Sequence, residues 1–360
     1  MSAVQGDVFL RVRNFGPLEE GTSSLPDGRL RIPKYTLFIG GQGTGKSTVA
    51  KLYSVFSCLE DVFSRGLFNT QSFTFEAFEE ILLNRNLSPD YVSDKTELEY
   101  SGNTFSFRIE GRKIKVTKSS GSYDCHQVIY HPSERNIISA FDVPWEMRSL
   151  SETVYQLAVL FLKANMASGK GPRELWSGCR IEFDPETRKT YILDGSGKSR
   201  IPLSFASSGL QSAVPLLVVS DYVSSFACEH DGFNLIQIVE NPEQNLHPLS
   251  QVEILKRLLT DTPENGKLLL TTHSPYIVSA VENYNLAWDM FMKSGTSVPG
   301  VEKKYLMRYE DTAAYLFSGG SVKSIMNDES RMIDGSSIDK CSDIINSEFD
   351  RILDSDVSCR

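Results

Sequence analysis

The chain has 360 residues, two to three times the usual single-domain length, which calls for one large α/β domain carrying an insertion or for two domains. With 40% hydrophobic residues it is not a disordered chain, and a net charge of −9 excludes any global attraction for a phosphate backbone, so nucleic acid would need a local basic patch. No apolar run approaches the roughly 20 residues of a membrane-spanning helix, and MSAVQGDVFL has no basic leader followed by an apolar stretch.

A soluble, unexported, cytoplasmic protein without a membrane partner is therefore expected. Cys58, Cys125, Cys179, Cys228, Cys341 and Cys359 form no C-x-x-C pair, so reduced thiols are expected rather than a zinc ribbon or a disulfide scaffold. The five histidines show no H-E-x-x-H spacing, which argues against a dedicated transition-metal site.

In chain order, Val8–Asn14 and Tyr35–Ile39 read as strands, and Lys46 to about Phe63 as a helix with Val49, Leu52, Tyr53 and Phe56 on one side. Glu97 to Lys118 alternates through Leu98, Tyr100, Phe105, Phe107, Ile109, Ile114 and Val116, broken at Ser101-Gly102-Asn103 and Glu110-Gly111-Arg112, the pattern of a small antiparallel meander. Ser149-Leu150-Ser151-Glu152 offers a capping box for a helix through Met166. Arg180–Phe183 and Thr190–Leu193 flank a turn at Pro185–Arg188. An apolar helix is expected from Ser212 to about Phe226, strands at Phe233–Glu240, Lys267–Thr272 and Val301–Met307, and an amphipathic helix from Ile338 to Leu353. The last of these places Ile344, Ile345, Phe349 and Ile352 on one side, either for the core or for docking a partner.

The sharpest motif is Gly40-Gly41-Gln42-Gly43-Thr44-Gly45-Lys46-Ser47, which fits G-x-x-x-x-G-K-[ST] and follows an apolar strand. Its glycines let backbone N–H groups surround a β-phosphate at a helix N-terminus, Lys46 neutralises β/γ charge, and Ser47 ligates Mg²⁺. ATP and Mg²⁺ are thus the expected cofactors. Glu240, at the end of an apolar strand, is the expected metal-side acid. His273 stands at the end of another strand, where an open α/β sheet places its ligand. Ser207-Ser208-Gly209-Leu210-Gln211 reads either as a plain helix cap or as a second anion-binding segment.

The order of these motifs resembles the ABC-type ATPase superfamily, with its SMC, RecF and overcoming-lysogenisation-defect members, and above all the stand-alone bacterial ATPases of phage-defence, toxin–antitoxin and retron systems. Residues carrying the likeness are Asn14-Phe15-Gly16-Pro17, the phosphate loop, Tyr130 to Arg135, Ser207 to Gln211, Glu240 to Pro248 and Thr272 to Pro275. The resemblance implies an α/β fold, an ABC-type P-loop NTPase core with a helical and antiparallel β insertion. Its parts would be 1–63 and 206–300 for the core, 64–205 for the insertion and 301–360 for a C-terminal partner-docking region. It also implies that Ser207, Ser208, Gly209 and Gln211 reach a nucleotide on a second subunit, that Asn245 to Pro248 cross that interface, and that His273 senses the γ-phosphate. Homodimers through shared ATP sites, or higher oligomers of them, follow. Arg135 reads as a γ-phosphate or nucleic-acid contact, or as a surface or salt-bridged arginine.

Where many relatives carry a second glutamate this sequence has Asn241, whose amide orients water but accepts no proton. Glu243 is either the substitute base or a turn carboxylate. Slow hydrolysis is expected in both cases. Three functional classes stay open: a switch that regulates a separate effector such as a nuclease or toxin in antiphage defence, a RecF- or SMC-like repair ATPase that grips DNA, and a transporter nucleotide-binding domain. Long heptads are absent, and the sole D-x-D, Asp354-Ser355-Asp356, lies too near the end of the sequence for an intrinsic nuclease.

Overall fold

A computed structural model describes residues 8–357 apart from 120, 122–124, 142–146, 170, 177, 195–198, 230–232 and 336–339. Its centre is a six-stranded sheet in the order β15-β14-β3-β13-β12-β7. These strands are β3 (Tyr35–Gly40), β7 (Cys125–His131), β12 (Phe233–Glu240), β13 (Lys267–Thr272), β14 (Thr312–Ser318) and β15 (Ser321–Ser324). All run parallel except β15.

Both faces of this sheet are covered, which is why its strands read as continuous apolar runs rather than alternating ones. Phe38, Ile236, Ile238, Leu269 and Phe317 point to one core, and Leu37, Ile39, Leu268, Leu270 and Ala314 to the other. The first core is closed by α1 (Lys46–Ser64), itself covered by a second, antiparallel sheet in the order β2-β1-β4-β5-β6. The strands there are β1 (Val8–Phe15), β2 (Leu30–Ile32), β4 (Val92–Ser101), β5 (Phe105–Glu110) and β6 (Lys113–Lys118). Lying between two sheets, α1 buries more than one stripe. Ala50, Ser54, Val55, Ser57 and Leu59 are buried along with the expected Val49, Leu52, Tyr53 and Phe56, and Phe56 stacks on Phe78, Tyr100 and Phe107. Phe78 belongs to α2 (Phe75–Asn84).

The opposite core is closed by α4 (Ser208–Glu229), α5 (Pro248–Thr260) and α6 (Pro275–Ser294). On α4 rests a lobe made of α3 (Glu152–Ala167) and a four-stranded antiparallel sheet, β8 (Arg173–Trp176), β9 (Cys179–Asp184), β10 (Lys189–Leu193) and β11 (Arg200–Pro202). Strand pairing crosses the boundary expected at residue 64: the meander β4–β6 pairs with β1 through β4, and β7 enters the central sheet beside β12.

Several expectations need correction. The helix expected to start at Ser149 starts at Glu152, with Ser151 as its cap accepting from the Val154 N–H. Glu152 is therefore at the first helical position, too early to reach back to the cap, and accepts from Gln156 instead. The helix expected from Ser212 begins at Ser208 and continues through Pro215. Val301–Met307 is not a strand. Residues Lys303–Tyr305 form a 3-10 turn that fixes Tyr305 against Tyr284, and the Met307 N–H donates to the Tyr284 carbonyl. Consecutive Glu302-Lys303-Lys304 breaks any alternation there, and the true late strand is β14, an uninterrupted run inserted beside β3. The last helix is α7 (Lys340–Val357), Ile338 lying outside the described residues. Its Ile344, Ile345, Phe349 and Ile352 are 58–67% exposed and so belong to no core. The side chains of Asp354 and Asp356 also lie outside the described residues. No described helix is long and apolar enough to cross a membrane.

Candidate functional site

The carboxyl ends of β3, β12 and β13 meet at one edge of the central sheet. A cleft of about 430 Å³ opens there, lined by Pro17, Gln42 to Thr48, Tyr91, Asn241 and His273. The loop after β3 turns sharply at Gly40, whose φ is 147° and where a Cβ would lie 2.3 Å from the Phe317 carbonyl oxygen, so only glycine fits. Gly45, at φ 99°, supplies the left-handed residue from which α1 starts. The N-terminus of α1 therefore faces the cleft with unpaired N–H groups and the positive end of its dipole, an anion site by construction.

Lys46 is buried, and its Nζ donates to the carbonyls of Gly40 at 2.8 Å and Gly41 at 2.6 Å. Burial pushes its pKa down to about 8, against the opposing pull of Glu243 and, more weakly, Glu240. That makes Lys46 a charge waiting for a stronger anionic partner. Thr44 ties the loop with a hydroxyl bond to the Gly41 carbonyl.

The segment after β12 supplies the facing wall. Asn241 is left-handed at φ 45°, and its N–H donates to the Thr271 carbonyl at 2.9 Å. Glu243 accepts the His273 backbone N–H on Oε1 at 2.7 Å. Its Oε2, together with Asn241 Oδ1, Gln244 Oε1 and Thr271 Oγ1, is buried without a hydrogen-bond partner among the described residues. Clustered unsatisfied acceptors are costly in a folded protein and mark a place that a ligand, ion or water completes. His273 lines the cleft, and burial together with the Lys46 charge lowers its pKa.

Glu240 stands behind this wall. It is 4% exposed, its Oε1 accepts from the Tyr130 hydroxyl, and its Oε2 accepts the Ser133 N–H at 3.4 Å. Tyr130 is buried, and its pKa is held well above the usual phenol value by burial and by Glu240. Arg135 corrects every reading made of it: it is completely buried, and its hydrogen bonds go to the main-chain carbonyls of Pro132, Ser212, Glu240 and Asn241.

The chain thus brings the phosphate loop, Asn241 and His273 into one cleft, with Glu243 and Glu240 just behind it. Ser207, Ser208, Gly209 and Gln211 are not among its lining residues. Ser207 and Ser208 are exposed, Gln211 donates to the Ser204 carbonyl at 2.9 Å, and a Cβ at Gly209 would lie 2.6 Å from the Asn245 carbonyl oxygen. Three cleft residues, Pro17, Thr48 and Tyr91, carried no assigned role in the sequence. Thr48 follows the phosphate loop and Pro17 ends a short motif, whereas Tyr91 stands in no motif and is held beside that motif by Phe15, which meets its ring edge-on at 5.6 Å, and by the Gly16 N–H, which donates to its carbonyl.

A family model described as an AAA ATPase domain matches residues 136–278. No curated protein matches the chain. Among solved structures, the chain is similar to the SMC head domain from Thermotoga maritima, at 12% identity over 89% of this chain and 98% of that one, with a TM-score of 0.42. It is similar also to an Smc head domain with an extended coiled coil from Pyrococcus furiosus, at 10% identity over 89% of this chain and 96% of that one, TM-score 0.41. For the recombination mediator protein RecF the figures are 11% identity, 89% and 99% coverage, and a TM-score of 0.37.

Proposed function

We propose that this chain, an ATPase of ABC-type P-loop architecture, works as a Mg-ATP-dependent homodimeric switch that regulates a separate effector, a nuclease or toxin, in bacterial antiphage defence. One observation carries the dimeric switch: the cleft is lined by the phosphate loop of the chain, while Ser207 and Ser208, exposed at the start of α4, lie outside it. A second copy supplying that segment would complete the site. The effector and the defence role rest on the sequence resemblance.

The residues fit the nucleotide. Gly40, Gly41, Gln42, Gly43, Thr44, Gly45, Lys46 and Ser47 would hold its phosphates and Tyr91 offers a ring wall for the base. Ser47 would hold Mg²⁺ in the cleft, and Glu240, behind the wall and bonded to Tyr130 and Ser133, would have to give up one of those bonds to join it. Bound Mg²⁺ would neutralise charge on the phosphate oxygens. Lys46 transfers its bonds from the loop carbonyls to the phosphates. Asn241 orients water in the cleft, and Glu243 Oε2 is the free carboxylate oxygen able to take its proton. Because that oxygen is buried rather than lining the cleft, turnover is slow.

The outer face of the antiparallel sheet favours a second reading, direct binding of DNA. Arg11, Arg13, Arg29, Arg31, Arg108, Lys113 and Lys115 outnumber Glu97, Glu99 and Glu110 there, in a chain that is acidic overall. Ion pairs such as Arg29–Glu99 at 2.7 Å and Arg108–Glu110 at 2.6 Å use part of that charge.

Two experiments separate these readings. Ser208→Arg should bind ATP normally yet fail to associate in sedimentation with ATP, and unchanged association would remove the shared site. Co-expression with the product of an adjacent gene tests the effector: the neighbour's toxicity should depend on whether Lys46 is intact. Toxicity indifferent to Lys46→Ala, combined with salt-sensitive DNA binding lost on Lys113→Glu/Lys115→Glu, would replace the switch with the DNA-binding reading.

A further inference from the structure

Arg135 is a fully buried guanidinium whose hydrogen bonds go to main-chain carbonyls. Taking such a charge out of water costs several kcal/mol. A methionine would fill the same space without that cost, so the donors themselves are what the position uses. A guanidinium is a rigid planar fork that can reach several acceptors at once. Here it joins three segments: Nη1 binds the Pro132 carbonyl at 3.2 Å after β7, Nε binds the Ser212 carbonyl at 3.0 Å in α4, and Nη1 and Nη2 take the consecutive Glu240 and Asn241 carbonyls at 2.6 and 2.7 Å.

Both ends of this strut matter to the cleft. Asn241 is pinned on one side by its N–H to Thr271 and on the other by its carbonyl to Arg135, so its left-handed backbone and its place in the cleft depend on that fork. At the other end, Ser212 lies one turn past Ser208. Pro215 in the following turn offers no N–H to the Gln211 carbonyl, so one rung of the α4 ladder is missing there. Gly209 packs against the Asn245 carbonyl, giving α4 a second contact with the segment that follows Asn241.

We infer that Arg135 is a positioning residue that ties the first turns of α4, carrying Ser208 and Gly209, to the Glu240–Asn241 peptide at the cleft. A displacement of α4 by a second subunit is thereby felt in the geometry of hydrolysis. The hydrolytic half of this inference rests on the proposed ATPase dimer; the mechanical half does not.

The test uses Arg135→Lys and Arg135→Met in the full chain. Turnover should fall about 10- to 100-fold, as a misplacement of about 1 Å commonly brings. KM for ATP should stay within about twofold, since the phosphate loop is untouched, and Lys should recover part of what Met loses. A merely structural arginine would lower the thermal midpoint and leave kcat of the folded fraction at the wild-type value, which would overturn the inference.

Hydrogen exchange without nucleotide tests the mechanical half. Arg135→Lys should speed exchange in residues 208–216 and 240–242 together, and acceleration confined to one of them overturns the link. Should neither variant fold, wild-type protein with and without Mg-ATP answers instead: protection must change in both segments, and change in 240–242 alone refutes coupling. A wild-type chain that hydrolyses no ATP would sink the ATPase reading while the nucleotide-free exchange still decides the strut.

Discussion

A buried carboxylate and a half-buried one at opposite edges of the central layer show how differently one residue type is used. Glu60 of α1 is 1% exposed and saturated: Oε2 accepts from Tyr100, and Oε1 accepts from the Thr104 N–H at 2.7 Å, its hydroxyl at 3.1 Å and the Phe105 N–H at 3.3 Å. Glu243, at the cleft, has one oxygen on the His273 N–H and the other on nothing described. A saturated buried carboxylate rigidifies the layer it joins, here α1 to the antiparallel sheet. A half-saturated one beside other orphaned acceptors is stability forgone where a ligand is to be handled.

The contrast is broken or sharpened by four measurements. The largest effect is expected from Glu243→Gln, which should lower kcat about 10²- to 10⁴-fold if its free oxygen takes the proton, and Asn241→Glu should restore turnover by placing a carboxylate in the cleft itself. Phosphate release at saturating Mg-ATP reads both, and wild-type turnover in Glu243→Gln would reduce Glu243 to a turn residue. Lys46→Ala comes next, with a loss of about 10²- to 10³-fold in ATP turnover, the usual cost of removing one charge-stabilising donor. A folded variant that binds and hydrolyses ATP normally would remove the phosphate site.

Glu60→Ala should cost about 3 kcal/mol in urea unfolding, because it leaves several buried donors unpaired, whereas Glu243→Ala should cost less than about 1 kcal/mol. Equal costs would erase the distinction between the two carboxylates. The smallest effect concerns pH. Lys46 has its pKa pushed down to about 8 by burial, so between about pH 8 and its unfolded value near 10.5 the unfolded chain holds a proton that the folded chain has released. Stability contributed by this group therefore rises with pH across that window, while ATP binding, which needs the charge, weakens above about pH 8. Titration should show affinity about tenfold lower at pH 9 than at pH 7 at most, with no such slope in Lys46→Ala.

The sequence by itself determined the elements whose signals are local. The phosphate loop is a run of eight residues whose glycines, lysine and serine announce their own chemistry, and the apolar strands at Tyr35, Phe233 and Lys267 carry their burial in their composition. The meander was legible because alternation survives in strands that have one wet face. Other features depended on partners distant in sequence. Arg135 is an ordinary arginine until β7, α4 and β12 converge on it, and Tyr91 and Pro17 reach the cleft only through the packing of β1 against β4. β14 is less legible than β3, β12 or β13 because, buried on both faces, it has no period of two, and its Thr312, Ala313, Ala314 and Ser318 make its apolar run weaker than theirs. Whether α7 packs inward was likewise beyond any periodicity, since an amphipathic pattern says which face is apolar but not what covers it, and that depends on where the rest of the chain places its surfaces.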